Sequence, residues 1–184
     1  MNRAVDLVGH GCAPWTLVTA ASQTQGRGTH GRNWVSPKGS GLYFSLVLPT
    51  PSDAERIEGL TVATARVLVE VLAGCCRLSA DIKHPNDVLV RGKKIAGILF
   101  ESVSSGDRLS RLVLGLGLNL DRTARELGAD GLPDATSIAN ETGGTPDPSA
   151  LVEAFLERFI EVYRTVTGTT CTCARGFDGH AERR

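Results

Sequence analysis

The sequence predicts an α+β domain built on a mixed, mainly antiparallel sheet with packed helices. Strand-like runs follow one another with few helical interruptions between them. One long stretch near residues 53–72 repeats its apolar residues at three-to-four spacing, so a single face packs on a sheet. At 184 residues the chain is long enough for one full hydrophobic core.

The elements follow in order. Residues 2–10 form a short helix, with Ala4, Val5 and Val8 at helical spacing and Gly9-His10-Gly11 at its end. Residues 14–21 are rich in Thr, Val and Leu and read as a strand, and residues 42–48 as a second strand closed by Pro49-Thr50-Pro51. Ser52 or Asp53 caps a helix that carries Ile57, Leu60, Val67, Leu68, Val71 and Leu72 on one face and stops at Gly74. Residues 78–83 are a strand, and Pro85-Asn86-Asp87 has turn chemistry. Residues 88–90 and 94–102 make a hairpin around Arg91-Gly92-Lys93. Residues 109–120 are a central strand in which Gly115 and Gly117 leave room for something to approach. Short helices at 122–127 and 135–142 precede a last helix from Asp147 or Pro148 to Val166. The domain is expected to span 1–168, with 169–184 as an irregular tail.

Lys and Arg number 20 and Asp and Glu 20, so no bulk charge drives the chain toward nucleic acid or membrane. No apolar run approaches the roughly 20 residues of a membrane span, and no segment resembles a signal peptide. A cytoplasmic, reducing location is therefore expected. Five cysteines (Cys12, Cys75, Cys76, Cys171, Cys173) form no paired CxxC pattern, which argues for free thiols over a zinc site.

Chemistry concentrates in two stretches. From Ser22 to Leu48, Arg27, Arg32 and Lys38 are interleaved with Gly26, Gly28 and Gly31 and followed by Gly39 and Gly41, Trp34 adds a flat apolar surface, and the stretch ends in the second strand. Glycine lets backbone N–H groups approach a ligand, and arginine supplies planar donors for carboxylate or phosphate. A loop that closes over a small anion fits this composition; the GxxxxGK[ST] and GxGxxG phosphate motifs are absent. In the second stretch, Lys83, Asn86 and Asp87 gather at a strand end, Lys94 opens the next strand, and Gly97 and Glu101 share a face. A lysine there can neutralise a carboxylate and a phosphate together, and Asp87 can hold Mg²⁺ or activate a nucleophile.

GRGxxGRxW, K-x-PND, KxxGILxE and GLGLN, in this order and at these separations, resemble the biotin–protein ligases over nearly the whole chain. The resemblance implies a catalytic domain related to class II aminoacyl-tRNA synthetases and lipoate ligases. It implies a two-step reaction in which biotin and ATP give biotinyl-5′-AMP and pyrophosphate, and a lysine of a biotin carboxyl carrier domain then attacks the mixed anhydride. Carried over residue by residue, it implies that Gln23 bonds the ureido ring of biotin and that Gly26, Arg27 and Gly28 wrap its carboxylate and the adenylate phosphate. Arg32 would bind ATP phosphates beside Trp34, and Lys94 would contact carboxylate and phosphate oxygens. Asn86 and Asp87 would serve adenylation, Asp87 as a Mg²⁺ or lysine-positioning residue. Gly97 would border the biotin pocket, and Asn119 would read the adenine edge. Lys94, Asp87 and Arg27 are the expected catalytic set. ATP, Mg²⁺ and biotin are the implied ligands and a carrier domain the implied partner; a homodimer is allowed for, but neither DNA nor a membrane is expected.

The departures are specific. Of the family's Ser-Thr-Asn only Asn2 matches, Thr29 replaces an arginine of GRGRxGR, and His84 stands where tryptophan is usual. The C-terminal barrel that normally follows the last helix has no counterpart here, and no helix-turn-helix precedes the domain, so no repressor role is expected. Three other readings are kept: a lipoate- or octanoate-type ligase, which KxxGILxE and GRGxxGRxW argue against; a non-catalytic biotin-binding remnant; and nucleic-acid binding through the glycine/arginine loop.

Overall fold

Six strands form one sheet in the order β1-β2-β6-β5-β4-β3, and each pairing is antiparallel. The computed structural model describes residues 1–50, 56–105 and 108–168. Its strands are β1 (Leu17–Ala20), β2 (Gly41–Leu48), β3 (Asp81–Lys83), β4 (Asp87–Val90), β5 (Lys93–Ser105) and β6 (Arg108–Asn119). The helices are α1 (Asn2–Gly9), α2 (Arg56–Cys76), α3 (Ala124–Ala129), α4 (Ile138–Thr142) and α5 (Pro148–Thr167). The α+β class with an antiparallel sheet is as expected.

The alternation of strand residues divides the sheet into two faces with different duties. Leu42, Phe44, Leu46 and Leu48 of β2 lie on the same side as Leu112, Leu114, Leu116 and Leu118 of β6, and α2 and α5 cover them. Phe155, Phe159 and Tyr163 of α5 stack along this core, and Trp15 meets Tyr163 edge-on at 5.3 Å. The opposite face carries Val47 and Val113 under Ala4 of α1. Beyond α1 that face turns small and polar. One row across the sheet reads Asp87, Gly97, Gly117, Tyr43, and the next reads Leu99, Gly115, Ser45. A floor without side chains at its centre is thus set into a rigid sheet.

Several boundaries differ from expectation for local reasons. β1 is shorter than residues 14–21, because Trp15 has φ 68° and the Thr16 hydroxyl turns back on Ala13 O. Gly74 does not stop α2. The helix continues to Cys76 and ends where Arg77 takes φ 55° and Leu78 N–H reaches back to Leu72 O. Leu78 is buried, so tertiary packing sets this end. β3 begins three residues late, and the short helices are α3 and α4 as bounded above. The β4–β5 turn is the two-residue Arg91-Gly92, both at positive φ, as the twist-matched hairpin turn requires, and Lys93 already pairs with Val90.

The proposed cap at Ser52 or Asp53, Pro51, Cys171, Cys173 and the tail 169–184 lie outside the described residues. Cys12, Cys75 and Cys76 are free thiols. Contrary to expectation, the stretch Gly59–Cys76 has the length and hydropathy of a membrane span. In this fold it is the core helix α2, packed on α5 and the sheet through Leu60, Leu68, Val71 and Leu72.

Candidate active site

The glycine/arginine segment is an ordered hairpin laid across the glycine floor. Gln23 pairs with Ser36, Trp34 N–H donates to Gly26 O at 2.9 Å, and Gly28 N–H donates to Arg32 O at 2.7 Å. A short 3₁₀ turn at Thr29–Gly31 closes it. Beneath it lies a cavity of about 370 Å³.

Trp34 is the contact between hairpin and floor. A Cβ on Gly97 would stand 2.8 Å from its ring, and one on Gly117 would stand 2.5 Å from it. Gly97 and Gly117 are cross-strand partners, so the indole rests on bare backbone of two adjacent strands. Lys94 Nζ stands 5.2 Å from the ring centroid, within cation–π range. The indole Nε1 is buried with no hydrogen-bond partner, a cost of about 1–3 kcal/mol. The slot is thus filled by a ring whose donor is unmet.

Two ion pairs flank the ring. Arg27 grips Glu101 with both terminal nitrogens, at 2.8 and 3.1 Å. Lys94 Nζ lies 2.6 Å from Asp87 Oδ1, an ion pair whose angle falls outside hydrogen-bond geometry. Both cations are therefore held at the cavity by protein carboxylates, which an anionic ligand can replace. Arg32 also lines the cavity, but its guanidinium folds back on Thr29, donating to its hydroxyl at 3.0 Å. Asn86 lines it too while donating to Ile98 O, and Lys83 stands nearby on the same wall.

The cavity has chemically distinct ends. At one, the Met1 side chain occupies the space above Gly115 beside Ser45, and Gln23 also belongs to the lining. At the other, the segment Gly131–Ala135 forms a wall with Leu132 and Pro133, and Asn119 is buried beside it, donating to Thr136 O at 2.9 Å. This wall is bonded to β5 on both sides of one residue: Lys94 N–H donates to Asp134 O, and Thr136 N–H to Lys94 O, each at 2.8 Å. Burial pushes the Tyr43 hydroxyl up, with Ser40 and the Arg122 charge pulling it back.

A family model described as "Biotin/lipoate A/B protein ligase family" matches residues 13–119, more than half the chain. The chain belongs to the biotin/lipoate A/B protein ligase family. Within this family it is 33% identical, over 162 residues, to the bifunctional ligase/repressor BirA of Bacillus spizizenii, covering 88% of this chain and 50% of that protein. It is 37% identical over 149 residues to the biotin–[acetyl-CoA-carboxylase] ligase of Paracoccus denitrificans, covering 79% and 60%. The chain thus spans about half the length of the first of these relatives and somewhat more of the second. Among solved structures, the biotin protein ligase of Aquifex aeolicus in complex with biotin and ATP matches with a TM-score of 0.76 at 31% identity, over 90% of this chain and 67% of that one. The biotin protein ligase of Leishmania major in complex with biotin matches with a TM-score of 0.66 at 25% identity, over 98% and 82%. These matches show that the chain shares the class II synthetase-like fold of the biotin protein ligases.

Of the residues singled out from sequence, Gln23, Arg27, Gly28, Arg32, Trp34, Asn86, Asp87, Lys94, Gly97 and Asn119 all line this one cavity. Gly26 does not; a Cβ there would collide with Trp34 O, so its place in the family hairpin is structural. Asn2 lies outside the lining, bonded to Gln25. Sequence reasoning missed the wall Gly131–Ala135, whose Gly-Leu-Pro-Asp composition marked only a loop, and it missed the Arg27–Glu101 grip. Among the described residues no three His, Cys, Asp or Glu side chains gather as a metal cage. Asp87 alone suits Mg²⁺ of the kind shared with nucleotide phosphates, which needs only one or two carboxylates.

Proposed function

We propose that this chain activates biotin with ATP as biotinyl-5′-AMP and transfers the acyl group to a lysine of a biotin carboxyl carrier domain. The observation that carries this reading is the meeting of Lys94, Arg27 and Asp87 over the bare Gly97–Gly117 floor. A carboxylate and a triphosphate repel each other, and fixed cations between them remove that barrier without reorganisation.

In the first step a biotin carboxylate oxygen forms a bond to the α-phosphorus, and the bond to the β-phosphate bridging oxygen breaks, releasing pyrophosphate. Arg27 exchanges Glu101 for the ligand anion, and Lys94 exchanges Asp87 for the oxygens shared by carboxylate and phosphate. Asp87 would be the residue to hold a Mg²⁺ ion, which when bound would supply neutralisation of phosphate charge. In the second step the carrier amine attacks the carbonyl, AMP leaves with the electron pair, and the amine loses a proton. The hairpin Gln23–Ser36 keeps water from the anhydride meanwhile. Gln23 and Ser45 supply polar partners for the ureido ring, and Asn119 with the Leu132–Pro133 wall suits the adenine.

The test is pyrophosphate release from ATP and Mg²⁺ with biotin or with lipoate, comparing wild type with Lys94→Ala. Release with biotin, lost in the variant, is expected. Release with lipoate alone would transfer the reading to the lipoate ligases, and binding of biotin without release would make the chain a binding remnant.

A further inference from the structure

Arg122 is the largest fully buried side chain among the described residues, 2% exposed, yet it lines no part of the cavity. Its guanidinium pairs through Nη2 with Asp130, while Nε and Nη1 have no partner. A cation buried with a single partner is a poor way to gain stability, since its desolvation is only partly offset. Its surroundings supply another reason for its presence.

Asp130 immediately precedes the wall Gly131–Ala135. The main-chain carbonyl of Arg122 accepts from the Ser137 hydroxyl and from Asn140 Nδ2, both at 2.7 Å, just past the other end of the wall. One residue therefore ties both ends of the wall and its neighbour Thr136, a segment 131–136 that touches Lys94 twice and Asn119 once. We propose that Arg122 is a positioning residue for the nucleotide end of the cavity: through Asp130 and its own carbonyl it sets the distance of the 131–136 wall from Lys94. This inference rests on the ligase reading for its kinetic consequence, but the tether itself can be measured without any ligand.

Asp130 is partly exposed, so Asp130→Asn removes the anion with little change in packing, and Asp130→Glu restores it. Asp147→Ala serves as the stability control, because it removes the α5 cap, whose Oδ1 accepts from Ser149 N–H, far along the chain. In ligand-free protein, Asp130→Asn is expected to speed amide hydrogen exchange at the Lys94 and Thr136 N–H groups. Asp130→Glu and Asp147→Ala should leave both near wild type. In turnover, Asp130→Asn is expected to raise the KM for ATP about tenfold, with biotin affinity in the absence of ATP unchanged. Unchanged exchange at the wall in Asp130→Asn would overturn the tether, as would an equal acceleration in Asp147→Ala. If wild type releases no pyrophosphate, the ligase reading fails while the exchange result still stands. If wild type turns over and Asp130→Asn keeps its ATP KM, the positioning role alone is lost.

Discussion

At the scale of single residues, the site is organised by what is missing. Gly97 and Gly117 were conspicuous as glycines in strands of otherwise apolar sequence, and that much is visible in one dimension. That they sit opposite each other and carry Trp34 depends on the β5–β6 register, which no local pattern encodes. A Cβ at Gly117 points into the slot, away from the core. The indole 2.5 Å away must then move, so Gly117→Ala is expected to cost about 1–3 kcal/mol and to cut pyrophosphate release by about a hundredfold. Thermal melts beside the release assay, run well below the variant's own midpoint, check the pair; a variant already unfolded at the assay temperature would place the effect in folding. Tyr163 gives a second prediction. Its hydroxyl is buried and donates to Pro49 O at 2.5 Å, and burial pushes it up to about 12. An unfolded tyrosine ionises near pH ~10, so between there and pH 12 the folded state binds the extra proton. Stability from this group is complete below the unfolded value and falls as pH rises through that window. Denaturant melts from pH 9 to 12 should show the decline in wild type and a flatter profile in Tyr163→Phe.

At the scale of elements, the long periodic pieces were legible and the irregular ones were not. α5 ran nearly as expected, because Asp147 and Pro148 open it, Gly168 closes it, and its apolar stripe is continuous. Asp147→Ala should accordingly cost about 1 kcal/mol, read as a shift in denaturant midpoint at unchanged slope, with activity retained. The glycine/arginine segment reads as a mobile loop from composition, yet it folds as a hairpin because Gly26 and Gly28 let its two limbs approach. Its outward hold on the sheet is the Arg27–Glu101 grip. Glu101→Gln weakens that grip by removing the charge while keeping the shape. Trypsin cleavage after Arg27 is expected to quicken several-fold in this variant without ligand, and biotin with ATP should restore protection, since the ligand anion takes the same guanidinium. The wall 131–135 was missed because its structure comes from bonds to Lys94, Leu127 and Leu132, and sequence shows only its turn residues.

At the scale of the molecule, balanced charge conceals a local imbalance. Lys and Arg equal Asp and Glu in number, but Arg27, Arg32, Lys83 and Lys94 line one cavity, where Glu101 pairs with Arg27 and Asp87 with Lys94. The α2–α5 side of the sheet supplies the stability, and the opposite face carries a cavity formed by the hairpin, β4, β5, β6 and the wall. A ligand bridging these pieces opposes their separate opening, so its binding energy enters the global unfolding transition. At about a hundred times the dissociation constant, ligand adds roughly 2.7 kcal/mol, which for a domain of this size moves Tm by about 5–10 °C. Biotin together with a non-hydrolysable ATP analogue is expected to give such a rise in differential scanning calorimetry. Lys94→Ala should lose most of it relative to its own ligand-free melt, which itself falls because Asp87, 16% exposed with a buried Oδ1, loses its counter-ion. A ligand-induced shift that survives in Lys94→Ala would mean that the ligands stabilise the fold without engaging the cation on which the proposed chemistry depends.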